Sequence, residues 1–365
     1  TLDALGIHLH FDLLDSGRTT NDVLVQSIVT HLKEAGGVLE LSLPDEIPSF
    51  LLYDYILKRQ RQAFVQIGSK DIATHIRFFL NCQTAASCIL STYEPDLVVA
   101  SHAVGYQAVL AWTALRRGIR VIIPFGDNGL IRLVNFDSVT QITEFADRPH
   151  PVDRFRLTQE QARALQGIGK AHLQNRLSGQ SANLGAIYAY KKPTDAVGRE
   201  EICRRFGWPP ERPLVAVYAS NWFDFPHSFG MTHFRDFHDW LEVTLAEATK
   251  NPAVSWLFKA HPCDAWYGGI SLRDILGGRM PKHIHIAENS WKGKDLLDAI
   301  DAFVTFHGTV GLEATALGKP ELVADKGWYD DWGFVLAPAD REDYRRLLSR
   351  DWWATLDRKR NAELA

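Results

Sequence analysis

The chain has 365 residues, 46% hydrophobic and 23% charged, a length that exceeds one ordinary core and suggests two domains. A formal charge of −4 and a pI near 6.4 argue against a protein built on electrostatic capture of nucleic acid. No apolar run approaches the roughly 20 residues that span a bilayer. No secretory leader is read either, and residue 1 is Thr rather than Met, which leaves a start further upstream open. Cys82, Cys88, Cys203 and Cys263 show neither CxxC pairing nor a His partner at zinc spacing, and are expected as free thiols in a reducing compartment.

In chain order, apolar spacing predicts a helix over 21–35, capped by Thr20 or Asn21. Short strands are predicted over 38–43 and 63–67, then a long amphipathic helix over 72–93. Pro95 introduces a buried strand over 96–100, followed by a helix over 106–117, Gly118 and a strand over 120–124. That order implies a parallel sheet with a right-handed crossover. The stretch 136–211 is polar and helix-rich, and Trp208-Pro209-Pro210-Glu211-Arg212-Pro213 reads as an interdomain linker.

A second α/β series follows, with a strand over 214–219, a helix over 234–249, and strands over 254–260, 283–287 and 302–305. A short helix over 310–317, closed by Gly318, and a strand over 321–324 complete it, before a charged and aromatic helical region over 340–360. The expected fold class is α/β, with two Rossmann-like domains facing a cleft. The expected division is an acceptor-side domain over 1–210, a nucleotide-sugar-binding domain over 211–340, and a helical region over 341–365 that packs back toward the first domain.

Three constellations carry chemistry. In Lys259-Ala260-His261-Pro262 an apolar strand ends at a proline, which presents His261 at the sheet edge, where open parallel sheets bind ligands. His261 can donate to a phosphate oxygen and Lys259 adds charge, although His261 capping its own loop fits the same residues. In His307-Gly308-Thr309 a strand turns into a helix, so the Thr309 hydroxyl and the N–H groups from Gly308 to Gly311 suit a phosphate or carboxylate. Glu313 is expected to accept from ribose hydroxyls, or to answer the helix dipole alone, and His307 either lines the site or packs the turn.

Third, the segment Ser220-Asn221-Trp222-Phe223-Asp224-Phe225-Pro226-His227 follows the first strand of the second half and is expected at the cleft. Asn221 and His227 are donor-binding candidates, and His227 and His233 also read as acid/base groups or loop residues. Asp224 is placed nearest the reacting sugar, as nucleophile, base or orienting group, with an Asx-turn as the alternative. In the first half Ser101, His102 and Asp127 are further cleft candidates, Asp127 toward the acceptor hydroxyl or as an ordinary turn residue. Asp12, Asp15 and Glu144 complete the acidic set.

Blocks in the order FDLLDSGRTTND, VVASHAVGY, FDFPHSFGMTHFRDFHDWL, WLFKAHP and FVTFHGTVGLEATALGKPELVADKGWYDDWGF resemble a bacterial family of surface-polysaccharide enzymes with the glycosyltransferase B fold. The His-Pro motif and the downstream turn are similar to those of bacterial sialyltransferases and capsule Kdo transferases. The nearest functional analogy is to the retaining β-Kdo transferases of lipopolysaccharide and capsule assembly. The resemblance implies a CMP-linked acidic sugar as donor, His261 on the CMP phosphate, Gly308-Thr309 on phosphate or sugar carboxylate, and Asp224 beside the anomeric carbon. It implies no metal and no cofactor beyond the nucleotide sugar. The expected acceptor is a lipid-linked or oligosaccharide glycan, with a cytoplasmic location, peripheral association with the inner membrane or other glycan-assembly enzymes, and no nucleic-acid partner. An acidic Glu-Asp-Gly motif of the sialyltransferases has no counterpart here. Donors of another kind (CMP-sialic acid, UDP-sugars, CDP-glycerol), a nucleotide-sugar epimerase and a non-catalytic scaffold are the alternatives.

Overall fold

The computed structural model describes residues 22–127, 130–143, 157–181, 183–278 and 280–365. They fall into two compact units, one from 22–60, 65–126 and 131–143, the other from 61–64, 127, 130, 157–181, 183–278 and 280–365. The first unit contains α1 (Asp22–Ala35), α2 (Ser49–Gln60), α3 (Ile72–Tyr93), β1 (Leu97–Val99), α4 (Ala108–Arg116), β2 (Arg120–Asp127), β3 (Leu130–Phe136) and α5 (Thr140–Thr143). Its three strands form one sheet in the order β1-β2-β3, with β1 and β2 parallel. In α3 the residues Ile72, Ile76, Phe79, Leu80, Gln83, Ala86 and Leu90 are buried, the stripe that helical spacing predicts. Glu94 ends α3 in the left-handed region (φ 43°).

Two of the expected strands, at 38–43 and 63–67, are not strands. Residues 38–40 make a 3-10 turn, and the burial of Val38, Leu41 and Leu43 seals the core without a neighbouring strand. At 63–67 the Gln60 side chain takes the Gln66 N–H at 2.7 Å, the group that a ladder would have used. Alternating apolar residues satisfied burial in both places without pairing.

The second unit starts with α6 (Gln159–Leu177), whose N-terminus is closed by a capping box between Thr158 and Gln161. There follow α7 (Leu184–Ala186), a π-helical turn at Ile187–Lys191, α8 (Arg199–Phe206), β4 (Leu214–Tyr218), α9 (Phe237–Lys250) and β5 (Ser255–Lys259). Then come α10 (Asp264–Tyr267), α11 (Leu272–Leu276), β6 (Ile284–Ile286), α12 (Gly293–Ala299), β7 (Ala302–Thr305), α13 (Val310–Ala316), β8 (Glu321–Val323), α14 (Arg341–Leu348) and α15 (Arg358–Leu364). The five strands form a parallel sheet in the order β6-β5-β4-β7-β8, a Rossmann-like arrangement. Every residue of β7 and β8 is buried, as are the first four of β4 and β5, so these strands read as continuous apolar runs. The α/β class with parallel pairing agrees with expectation.

The unit boundary differs from the expected one at 210. Residues 157–181 and 183–210 cluster with the second unit, and the proline-rich 208–213 segment is the turn from α8 into β4. Arg199 fastens that turn, donating to the Arg212 carbonyl and to Asp301 Oδ2, both at 2.8 Å. Further back, Asp195 bridges in parallel to Trp291, so 194–195 runs beside the start of α12. Prolines stiffened a turn here.

Candidate functional site

The strand order reverses between β4 and β7, whose successors lie on opposite sides, and ligands of open α/β sheets bind outside the carboxyl ends at such a switch point. A cavity of about 610 Å³ lies there within the second unit. Its floor is the strand ends: Tyr218 to Asn221 after β4, Lys259 to Pro262 after β5, and Thr305 with His307 to Val310 after β7. One wall is apolar and aromatic, from Tyr188, Tyr190, Pro193, Leu296 and Leu297. The volume lies within the usual range for small-molecule sites, about 300–1,000 Å³.

The strand ends carry the polar groups. Burial pushes the His261 imidazole down to about 4 against the opposing charge of Asp224, so the ring is neutral at neutral pH. The Cys263 N–H donates to His261 Nδ1 at 3.3 Å, which fixes the tautomer with its hydrogen on Nε2. His261 is therefore a neutral donor. Lys259 Nζ donates to the Glu288 carbonyl at 2.9 Å, and burial lowers its pKa to about 8. It keeps its charge at neutral pH.

The turn after β7 is more constrained than its sequence suggests. Gly308 N–H reaches Thr305 Oγ1 at 3.4 Å, and Gly311 N–H closes back on the Gly308 carbonyl at 2.9 Å. Of the four expected N–H donors, those of Thr309 and Val310 have no acceptor among the described residues. The exposed Thr309 side chain makes no capping bond to α13. His307 lies against Phe237 and Phe306 with ring centroids 5.7 and 5.0 Å away, and burial holds it at about 4 although Asp325 pulls upward. His307 both lines the cavity and packs the turn.

Glu313 reaches the cavity from the first turn of α13, and protein groups meet both its oxygens. Arg176 Nε lies 2.5 Å from Oε1, and the Tyr190 hydroxyl donates to Oε2. Asn221 is 4% exposed and donates to Asp264 Oδ1 at 3.0 Å. Burial raises Asp264 to about 6 despite that bond.

Of the expected residues, Asp224, Lys259, His261, Pro262, His307, Gly308, Thr309, Glu313 and Asn221 therefore share one cavity. His227 does not line it. Phe225, at φ 53°, and Pro226 start a 3-10 turn that carries His227 to the Arg235 carbonyl, which its Nε2 meets at 2.9 Å. His233 likewise pairs with Thr232 Oγ1 (3.2 Å) and the Pro338 carbonyl (3.3 Å). Asp127 is the last residue of β2, and Ser101 and His102 follow β1. Glu144, Asp12 and Asp15 lie outside the described residues. Sequence reasoning missed Arg176, Asp264 and the Tyr188–Lys192 wall. The aromatic-basic run Tyr188-Ala189-Tyr190-Lys191-Lys192 was the available signal for the wall.

No protein-family profile and no curated protein matches the chain. Among solved structures it is similar to the β-Kdo 2,4 transferase of Thermosulfurimonas dismutans KpsC, at 13% identity and TM-score 0.38 over 69% of this chain and 77% of that one. The β-Kdo 2,7 transferase of the same KpsC gives 14% and 0.34 over 73% and 79%. UDP-GlcNAc 2-epimerase of Neisseria meningitidis bound to UDP-GlcNAc gives 14% and 0.34 over 79% and 75%. Likenesses this distant carry no activity over to this chain.

Proposed function

We propose that this protein is a glycosyltransferase of bacterial surface-polysaccharide assembly, using a nucleotide-activated acidic sugar as donor. CMP-Kdo is the donor that the sequence resemblance favours, with retention at the anomeric carbon. The observation that carries the reading is the two-sided cavity at the switch point: an aromatic and apolar wall suited to a nucleoside, facing a neutral histidine donor, a lysine and the Gly308-Thr309 turn. Lys259 and the His261 Nε2–H would meet the nucleotide phosphate and stabilise it as the leaving group. Asp224, exposed and lining the same cavity, would attack the anomeric carbon as the bond to the nucleotide phosphate breaks. The acceptor hydroxyl would then displace the Asp224 carboxylate, its proton passing to the departed nucleotide phosphate or to solvent.

Calorimetric titration with CMP, UDP and CDP tests the donor. Binding of CMP in preference to the others is expected, and binding of UDP without CMP would defeat the CMP assignment. Incubation of CMP-Kdo with an acceptor glycan then tests transfer. Turnover of a sugar nucleotide without acceptor would favour an epimerase instead.

A further inference from the structure

Behind the Gly308–Gly311 turn lies a buried carboxyl. Glu321 on β8 is fully buried, and the Thr315 hydroxyl donates to its Oε2 at 3.0 Å. Its Oε1 lies 2.9 Å from the Tyr329 hydroxyl, and that hydroxyl lies 2.7 Å from the Gly308 carbonyl. A Cβ on Gly311 would overlap both the Tyr329 hydroxyl and the Glu321 carboxyl, so the three groups meet directly beneath the turn.

Counting hydrogens decides the protonation state. The Tyr329 hydroxyl has one hydrogen and two oxygen neighbours, and the Gly308 carbonyl can only accept. If Glu321 were ionised, one of the two oxygen–oxygen contacts, 2.7 or 2.9 Å, would have no hydrogen in it. A proton on Glu321 resolves both: the carboxyl donates to the Tyr329 oxygen, and Tyr329 donates to Gly308. The surroundings agree. The acidic groups whose charge reaches the Tyr329 hydroxyl are Glu313 from α13, Asp330 from its own loop and Glu321 itself, and among the described residues no cation faces Glu321. Burial raises the Glu321 carboxyl to about 8 and keeps the Tyr329 phenol neutral.

We propose that Glu321 is a protonated positioning residue that, through Tyr329, orients the Gly308 carbonyl and so sets the turn at the cavity floor. The link to ligand binding rests on the nucleotide-site reading, but the proton does not.

The test compares wild type with Glu321→Gln, whose amide N–H₂ can replace the carboxyl O–H toward Tyr329 while its oxygen still accepts from Thr315. The unfolded chain ionises this glutamate above its ordinary pKa near 4.5 whereas the folded chain keeps the proton to about 8, so wild type loses stability as pH rises between those values. The glutamine variant lacks that loss. Its melting temperature relative to wild type is expected to climb from pH 5 to pH 8, with CMP affinity at pH 6.5 within about threefold of wild type. A melting temperature that, relative to wild type, stays constant or falls from pH 5 to pH 8 overturns the proposal. Should the variant fail to fold, infrared spectroscopy of wild type at pH 6.5 decides. A carboxylic-acid carbonyl band that disappears above about pH 8 and shifts with isotope-labelled glutamate supports the proton, and its absence refutes it. Tyr329→Phe is expected to weaken CMP binding about tenfold, and unchanged CMP binding refutes the route through Tyr329. No CMP binding by wild type, with the pH-dependent gap intact, would sink the nucleotide reading and leave the proton standing.

Discussion

Arg176 Nε and Glu313 Oε1 lie 2.5 Å apart with side-chain exposures of 12% and 8%, tying the last turn of α6 to the first turn of α13 across 137 residues of chain. Breaking such a pair from one side leaves a buried charge uncompensated, at a cost of about 3–5 kcal/mol. Arg176→Ala is therefore expected to lose about that much stability, read from the urea midpoint at constant slope. The double variant Arg176→Met with Glu313→Gln is expected to recover most of it, because the amide oxygen of the replacement still accepts from Tyr190 and no lone charge remains. A double variant as unstable as the single one would show that the pair's charge is not what matters.

His261 donates as a neutral imidazole. Removing one preorganised donor from a developing negative charge costs about 100-fold or more in kcat, so His261→Ala is expected to retain the fold and lose turnover by that factor. Because the ring stays neutral down to about 4, wild-type kcat/KM should show no histidine limb near pH 6.5 from this residue. Protonation adds a stability effect of defined sign. The unfolded ring binds a proton near 6.5 and the folded ring only near 4, so His261 and His307 both contribute stability above pH 6.5 that is lost as pH falls toward 4. For the fully packed His307 that loss is at most about 3 kcal/mol. Glu321 acts with the opposite sign over this range, so the readout is the melting-temperature difference between wild type and each histidine-to-alanine variant. A difference that does not change from pH 7 to pH 4.5 would contradict that histidine's assignment.

Gly311, in the first turn of α13, and Gly318, just past its end, should respond differently to alanine. At Gly311 the added Cβ runs into Tyr329 and Glu321, forcing the turn and its neighbours apart, with an expected loss of about 1–3 kcal/mol. CMP affinity should fall with it, since the turn lines the cavity. Gly318 sits at φ +80° with open space around it, so its alanine costs backbone strain alone, about 1 kcal/mol, with CMP affinity unchanged. Equal effects of the two on CMP binding would remove the turn from the binding site.

The sheet of the second unit was legible because its strands are buried on both faces and read as unbroken apolar runs, as in Ala302–Thr305. His261 was legible because Pro262 ends such a run abruptly. Arg176 was not: a polar helix with no buried residue gives no hint that one arginine reaches a glutamate 137 residues away. Glu321 was hidden differently. It lies inside a strand whose three residues are all buried, and its chemistry depends on Tyr329, which only tertiary packing brings to it. The strands expected at 38–43 and 63–67 failed for the converse reason, since period-two apolarity reports burial and leaves pairing open.

Lys259 gives the pH dependence most specific to the proposed phosphate contact. Its ammonium is largely desolvated, bonded to the Glu288 carbonyl, and loses its proton near 8 rather than near 10.5. Below that value the charge is present and its bond to an anion is charge-assisted, worth about 1.5–3 kcal/mol. Above it the free protein must first take up a proton to bind, so CMP affinity should fall, by at most tenfold per pH unit. Stability runs the other way: the unfolded lysine stays charged to about 10.5, so folding gains as pH rises from 8 toward that value. Lys259→Met removes both effects and is expected to weaken CMP binding at pH 7 by about 10- to 100-fold. Calorimetry between pH 7 and pH 9.5, repeated in buffers of different ionisation enthalpy to count protons taken up, separates this from general alkaline loosening. If wild type binds CMP without proton uptake at pH 8.5, or if Lys259→Met keeps the wild-type pH profile, Lys259 is not the phosphate's partner.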